Sequence, residues 1–239
     1  MEEISKSNNL LVPIAIVIAG VLIAGAVYMG TNRAGTANNQ QPQIAEQQQS
    51  GDLEKMAAIT SDDHIRGNPD ATVKIVEYSD MECPFCKRFH STMQQVADEY
   101  GGKIAWVYRH FPLDSIHSKA RTEAMAVECA NELGGNDAAW KFIDRWFELT
   151  PSNNQTDIQT VLPQIAREIG LDESQFASCL TSGKYDTHVQ ENLDNAIATG
   201  GDGTPWSIVV TKSGKKYALS GAQPYAAVKQ LIDLALQEK

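Results

Sequence analysis

Cys83-Pro84-Phe85-Cys86 constrains this chain more than any other stretch. Two cysteines with two residues between them either close a small disulfide ring or share a metal ion, and their flanks decide between the two. Upstream, Val73-Lys74-Ile75-Val76-Glu77-Tyr78 is β-branched and apolar and predicts a buried strand. Downstream, Pro84 to Tyr100 carries Phe89, Met93, Val96 and Tyr100 at helical spacing. The pair therefore sits where a strand gives way to a helix. Pro84 suits the first helical turn, where its missing N–H has no partner to lose. Cys83 then lies against the unpaired N–H groups and the positive dipole end of the helix, which favours the thiolate, the reactive form of cysteine.

Zinc would need four ligands and thus a second close pair. Cys129 and Cys179 are far apart in sequence, and His64, His90, His110, His117 and His188 contain no H-x₃₋₅-H pair. The residues point to redox chemistry at Cys83 and Cys86, with no metal and no cofactor.

At 239 residues the chain has room for one sizeable domain with appendages. A net charge of −10 argues against a nucleic-acid surface and against binding to anionic headgroups. Leu10 to Met29 holds no charge and is long enough to span a bilayer. Ala24-Gly25-Ala26 would suit cleavage of a signal peptide, but the start Met1-Glu2-Glu3-Ile4-Ser5-Lys6 is not basic, so an uncleaved anchor is expected. Lys6 and Arg33 on its two sides leave orientation open. An even number of cysteines behind such a segment suggests an oxidising compartment outside the cytoplasm. The expected organisation is a short cytoplasmic tail (1–9), a transmembrane anchor (10–29), a flexible linker (30–61) rich in Asn, Gln, Gly and Ala, and a folded domain (62–239).

Within the domain, Lys103 to Tyr108 predicts a second strand, completing a βαβ unit, and Pro112 ends it. From about 114 to 200 the pattern is helical. Ser118 to Leu133 is stopped by Gly134-Gly135, Ala138 to Leu149 is stopped by Pro151, and segments follow near Asp157 to Ile169, after Asp172, and over Asp186 to Thr199. Asp172 and Gln175 form a capping-box pattern. Trp206 to Thr211 and Lys215 to Leu219 around Ser213-Gly214 predict a hairpin, and Pro224 to Leu236 a closing helix. The predicted architecture is α/β: β-α-β, an inserted helical subdomain, then β-β-α.

Several stretches in this order resemble the DsbA-like thiol–disulfide oxidoreductases of the thioredoxin superfamily, in the bacterial branch tethered by an N-terminal membrane segment. They are Glu77-Tyr78-Ser79-Asp80-Met81-Glu82-Cys83-Pro84-Phe85-Cys86, Tyr108-Arg109-His110-Phe111-Pro112-Leu113, Glu128-Cys129-Ala130, Phe176-Ala177-Ser178-Cys179-Leu180 and Gly203-Thr204-Pro205. The resemblance covers roughly Asp62 to Leu236. It implies a thioredoxin-like fold, Cys83 as exposed nucleophile, Cys86 as buried resolving thiol, and a cis Thr204-Pro205 peptide where substrate backbone docks. It also implies Glu77 as proton acceptor for the resolving thiol, where the residues alone equally allow a carboxylate facing water. On residues alone Cys129 and Cys179 are either buried free thiols or a disulfide; the resemblance implies the disulfide.

Lys87 and His90 follow Cys83 on its helix and read as solvated surface residues, and Trp140 and Trp146 as core. Two departures from the family pattern stand out. The Pro84-Phe85 dipeptide lacks the histidine of the most oxidising members, leaving backbone N–H groups and the helix dipole to hold the thiolate. Trp206 follows the cis-proline position, where smaller residues are common. The resemblance implies an extracytoplasmic oxidase that takes electrons from reduced exported proteins and is reoxidised by a quinone-linked thiol oxidase in the membrane. A reductase or isomerase is the enzymatic alternative, and a non-catalytic tethered binding or chaperone module the alternative from another class.

Overall fold

A computed structural model describes residues 52–238. The anchor at Leu10–Met29 and most of the linker lie outside the described residues, among which no helix is long and apolar enough to cross a membrane.

A five-stranded sheet runs in the order β1-β3-β2-β4-β5. The strands are β1 (His64–Gly67), β2 (Val73–Ser79), β3 (Ile104–His110), β4 (Trp206–Val210) and β5 (Lys216–Ser220). β2 and β3 are parallel, joined through α1 (Pro84–Tyr100); the remaining pairings are antiparallel. Helices α2 (Ala120–Leu149), α3 (Ile158–Glu168), α4 (Glu173–Ser182) and α5 (Asp186–Ala198) fall between β3 and β4, and α6 (Tyr225–Gln237) closes the chain. This is a thioredoxin-like sheet with a helical insertion.

Strand alternation sorts β2 between two cores. Val73 and Ile75 join the larger one with Phe89 and Met93 of α1 and Val228 and Ile232 of α6. Val76 and Tyr78 turn to the opposite side, with Trp206, Ile208 and Ala196 of α5. By the same alternation Glu77 points with Ile75 into the larger core and is fully buried.

Two expectations change. Strand β1 was not predicted; it is four residues long, with histidine, arginine and glycine in it, and gains its place by pairing with β3. The two helices expected on either side of Gly134-Gly135 are both present within the span Ala120–Leu149, which breaks at Gly135, where φ is 72°. Such a φ strains any residue with a Cβ. Helix α3 agrees with the segment expected near Asp157 to Ile169, starting under the Asp157 cap with Pro163 inside it. Residues 52–61 are not loose linker. Asp52 N donates to Ala198 O, Arg109 donates to the carbonyls of Ala57 and Ala58, and Leu53, Met56 and Ile59 pack on the smaller core. Three apolar side chains at that spacing cover the sheet face beside α5.

Candidate active site

Cys83 is the N-cap of α1, with Pro84 in the first turn and no side-chain cap. Both active-site cysteines are free thiols. Cys86 is fully enclosed, and Cys83 is 3% exposed. Cys83 is thus more covered than the exposed thiol expected from its position, because the loop carrying Thr204 and Pro205 lies over it. Thr204–Pro205 is a cis peptide, and the Thr204 carbonyl oxygen stands 3.5 Å from Cys83 Sγ. Phe85, next to Cys83, is 53% exposed.

The two thiols are electrically unequal. The Cys83 pKa is lowered to about 6, first by the hydrogen bond from Cys86, against burial, and then by Thr204 and the backbone N–H groups of Cys86 and Phe85. The neighbouring thiol therefore joins the backbone groups in holding the thiolate. Burial, together with Cys83 and Glu77, raises Cys86 well above the ordinary thiol range, although the Asp80 N–H donates to its sulfur at 3.4 Å. One sulfur is poised as thiolate at neutral pH and the other is kept protonated.

Glu77 lies beneath this pair. Trp106 Nε1 donates to its Oε2 at 2.9 Å, and Oε1 has no partner. Burial raises its pKa to about 7, opposed by the nearby Ser79 hydroxyl and the Trp106 hydrogen bond, with the Cys83 charge adding to the rise. A carboxyl that titrates near neutrality can exchange protons with a neighbouring thiol.

Several groups around the pair were not singled out by sequence. Asp80 accepts from Glu82 N and Leu113 N, and pairs with His117 Nδ1 at 2.9 Å. Burial raises its pKa, with His117 opposing. Glu82 is buried and held by the loop after α2, where Asn153 N donates to its carbonyl and Asn154 N to its carboxylate. Ser152, Asn153 and Asn154 all adopt positive φ there. Burial raises the pKa of the adjacent Glu123 to about 10, with Glu82 adding to the rise, so Glu123 is neutral at pH 7. Glu123 therefore adds no charge of its own beside Cys83. None of these pairings leaves a spacing signal, since their members come from separate elements.

Other expected residues lie elsewhere. His90 is not a surface residue: it is buried between Trp106 and Phe147 and pairs with Asp144 at 2.8 Å, because its position on α1 faces the insertion. Lys87 donates to the Thr150 carbonyl. Trp140 and Trp146 are core, and Trp146 Nε1 fixes the loop before Cys83 by donating to Met81 O at 2.8 Å. Trp206, after the cis proline, is buried and donates to Thr199 Oγ1. Cys129 of α2 and Cys179 of α4 form a disulfide.

A family model described as thioredoxin matches residues 59–233. The chain belongs to the thioredoxin family. Among solved structures, this thioredoxin-family chain is similar to DsbA2 of Pseudomonas aeruginosa at 28% identity and a TM-score of 0.64, covering 74% of this chain and 96% of that one. It shares its fold with α-DsbA1 of Wolbachia pipientis (22% identity, TM-score 0.67, 77% and 96% covered). Among curated proteins it is 32% identical over 160 residues to a Na⁺/H⁺ antiporter, NhaA 1 of Mycolicibacterium gilvum, covering 65% of this chain and 24% of the antiporter. The chain thus spans about a quarter of that relative's length. The unequal dithiol at the head of α1, on this fold, is that of a protein dithiol–disulfide oxidoreductase.

Proposed function

We propose that the protein is an extracytoplasmic thiol oxidase that introduces disulfides into exported proteins. The observation that carries this is the asymmetry of the pair: a Cys83 thiolate favoured at neutral pH over a Cys86 held protonated. In the oxidised enzyme a substrate thiolate attacks Cys83 Sγ, the Cys83–Cys86 bond breaks, and Cys86 leaves, taking up a proton through Glu77. A second substrate thiolate then attacks the substrate sulfur of the mixed disulfide. The substrate disulfide forms and Cys83 departs as a thiolate, while Cys86 keeps its proton. The more stable that thiolate, the further the exchange runs toward oxidised substrate. Substrate backbone docks along Thr204 and Pro205.

The reading extends to the membrane-anchored branch, with Leu10–Met29 as an uncleaved single-pass anchor and the domain outside the cytoplasm. Reoxidation falls to a quinone-linked thiol oxidase in the membrane. Oxidation of a reduced model protein by the wild type, lost in Cys83→Ser, is the test; turnover that survives Cys83→Ser refutes it. Reduction of insulin outpacing thiol oxidation would favour the reductase alternative.

A further inference from the structure

We infer that His64, His110, His188 and Glu128 form a binding site for one divalent cation of the zinc type, separate from the redox dithiol. The four side chains come from β1, β3, α5 and α2, so no sequence spacing announces them. Their Nε2 atoms converge on one atom, Glu128 Oε1, at 2.8 Å from His64, 2.7 Å from His110 and 3.5 Å from His188. The donor atoms of His64, His110 and Glu128 all lie within 4.8 Å of one another. Ligand atoms of a tetrahedral zinc, bound at about 2.0–2.1 Å, stand roughly 3.3 Å apart. His64 and His110 stand about half an ångström closer to Oε1 than that spacing, so small shifts would seat three ligands, and the half-exposed His188, 3.5 Å from Oε1, can swing in as the fourth.

His64 and His110 hydrogen-bond Glu128 Oε1, and the His188 ring faces the same atom from 3.5 Å without a hydrogen bond to it. His64, His110 and Glu128 are buried at 2%, 0% and 4% exposure. Among the described residues no lysine or arginine forms an ion pair with the buried Glu128 carboxylate. A divalent cation would neutralise it. Imidazole nitrogen with one carboxylate is a donor set for zinc and its neighbours rather than for calcium or magnesium. His188, half-exposed, lines a surface pocket with Asp63, Arg109 and Glu191 and gives an entry path.

The far nitrogens set the strength. His64 Nδ1 and His110 Nδ1 are buried without partners, so neither ring has the outer hydrogen bond that usually buttresses a metal-bound histidine. Affinity should be about 10–100-fold below that of a fully supported site. Filling the site would tie edge strand β1 and helix α5 to the core.

The test uses the purified full chain with Cys83 and Cys86 oxidised to their disulfide, so that the thiols take no metal. Titration with Zn²⁺ by calorimetry and with Co²⁺ by visible absorbance should show one saturable site with tetrahedral cobalt bands. Zn²⁺ should raise the melting temperature, and excess Ca²⁺ should not displace it. His188→Ala, at a half-exposed position, should fold and weaken Zn²⁺ binding at least about tenfold. No one-to-one binding, displacement by Ca²⁺, or unchanged affinity in His188→Ala would overturn the inference.

Discussion

Replacing Glu77 by glutamine tests the buried carboxyl directly. In the folded dithiol protein its pKa rises from 4.5 to about 7, chiefly through burial. Between those values the folded state holds a proton that the unfolded state has released, so stability falls as pH rises. At about 1.4 kcal/mol per pH unit, that difference amounts to roughly 3 kcal/mol. The penalty is absent below about pH 4.5 and fully developed above about pH 7. Glu77→Gln carries no such proton, while other titrating groups are common to both proteins and largely cancel. Urea unfolding of the reduced proteins at pH 5 and pH 8 reads the effect. The wild type should lose roughly 2–3 kcal/mol relative to the variant across that interval. In the oxidised proteins the loss should shrink, because the Cys83 thiolate no longer adds to the rise. Stabilities that run parallel from pH 5 to pH 8 would show that Glu77 does not titrate there, and its role as proton acceptor for Cys86 would fall with it.

The Cys129–Cys179 disulfide closes a loop with a sequence separation of 50 residues, and on the chain-entropy model contributes about 4 kcal/mol. Cys129→Ala with Cys179→Ala should therefore melt roughly 8–16 °C lower by calorimetry yet keep thiol-oxidation activity; an unchanged melting temperature would refute the estimate. Mild alkylation of the reduced protein, mapped by mass spectrometry, should label Cys83 well before Cys86, and equal labelling would reverse the assignment of nucleophile. Phe85→His, which places a hydrogen-bonding ring beside Cys83, should make the couple more oxidising; no change in its equilibrium with glutathione would remove the dipeptide from the explanation.

What the sequence disclosed was whatever is written in contiguous spacing. The run from Val73 to Tyr78, the C-x-x-C and the α1 periodicity lie within one stretch, and the core pattern of α6 is equally local. The strand β1 was hidden because His64-Ile65-Arg66-Gly67 has no alternation of its own and owes its form to β3. Residues 52–61 were misread because the polar tether before them blends into Leu53, Met56 and Ile59, whose partners on the sheet are far away in sequence. Glu77 was ambiguous as a letter in a strand, and the parity that sends it inward beside Ile75 became visible only with the sheet assembled. The Asp80–His117 pair and the Glu82–Glu123 contact depend on α2 and its following loop folding back over the dithiol. The convergence of His64, His110 and His188 on Glu128 likewise needs four elements in place.

As proposed, the pair works as a net oxidant of intermediate strength, because Cys83 is stabilised as a thiolate without a histidine in the dipeptide. Its most direct test is the reduction potential of the Cys83–Cys86 couple, from equilibrium titration against glutathione. A value between those of thioredoxin, about −270 mV, and DsbA, about −120 mV, is expected. A Cys83 pKa near the value of about 6, read from thiolate absorbance, should accompany it. A potential as low as that of thioredoxin would contradict the oxidase reading and make the protein a reductase.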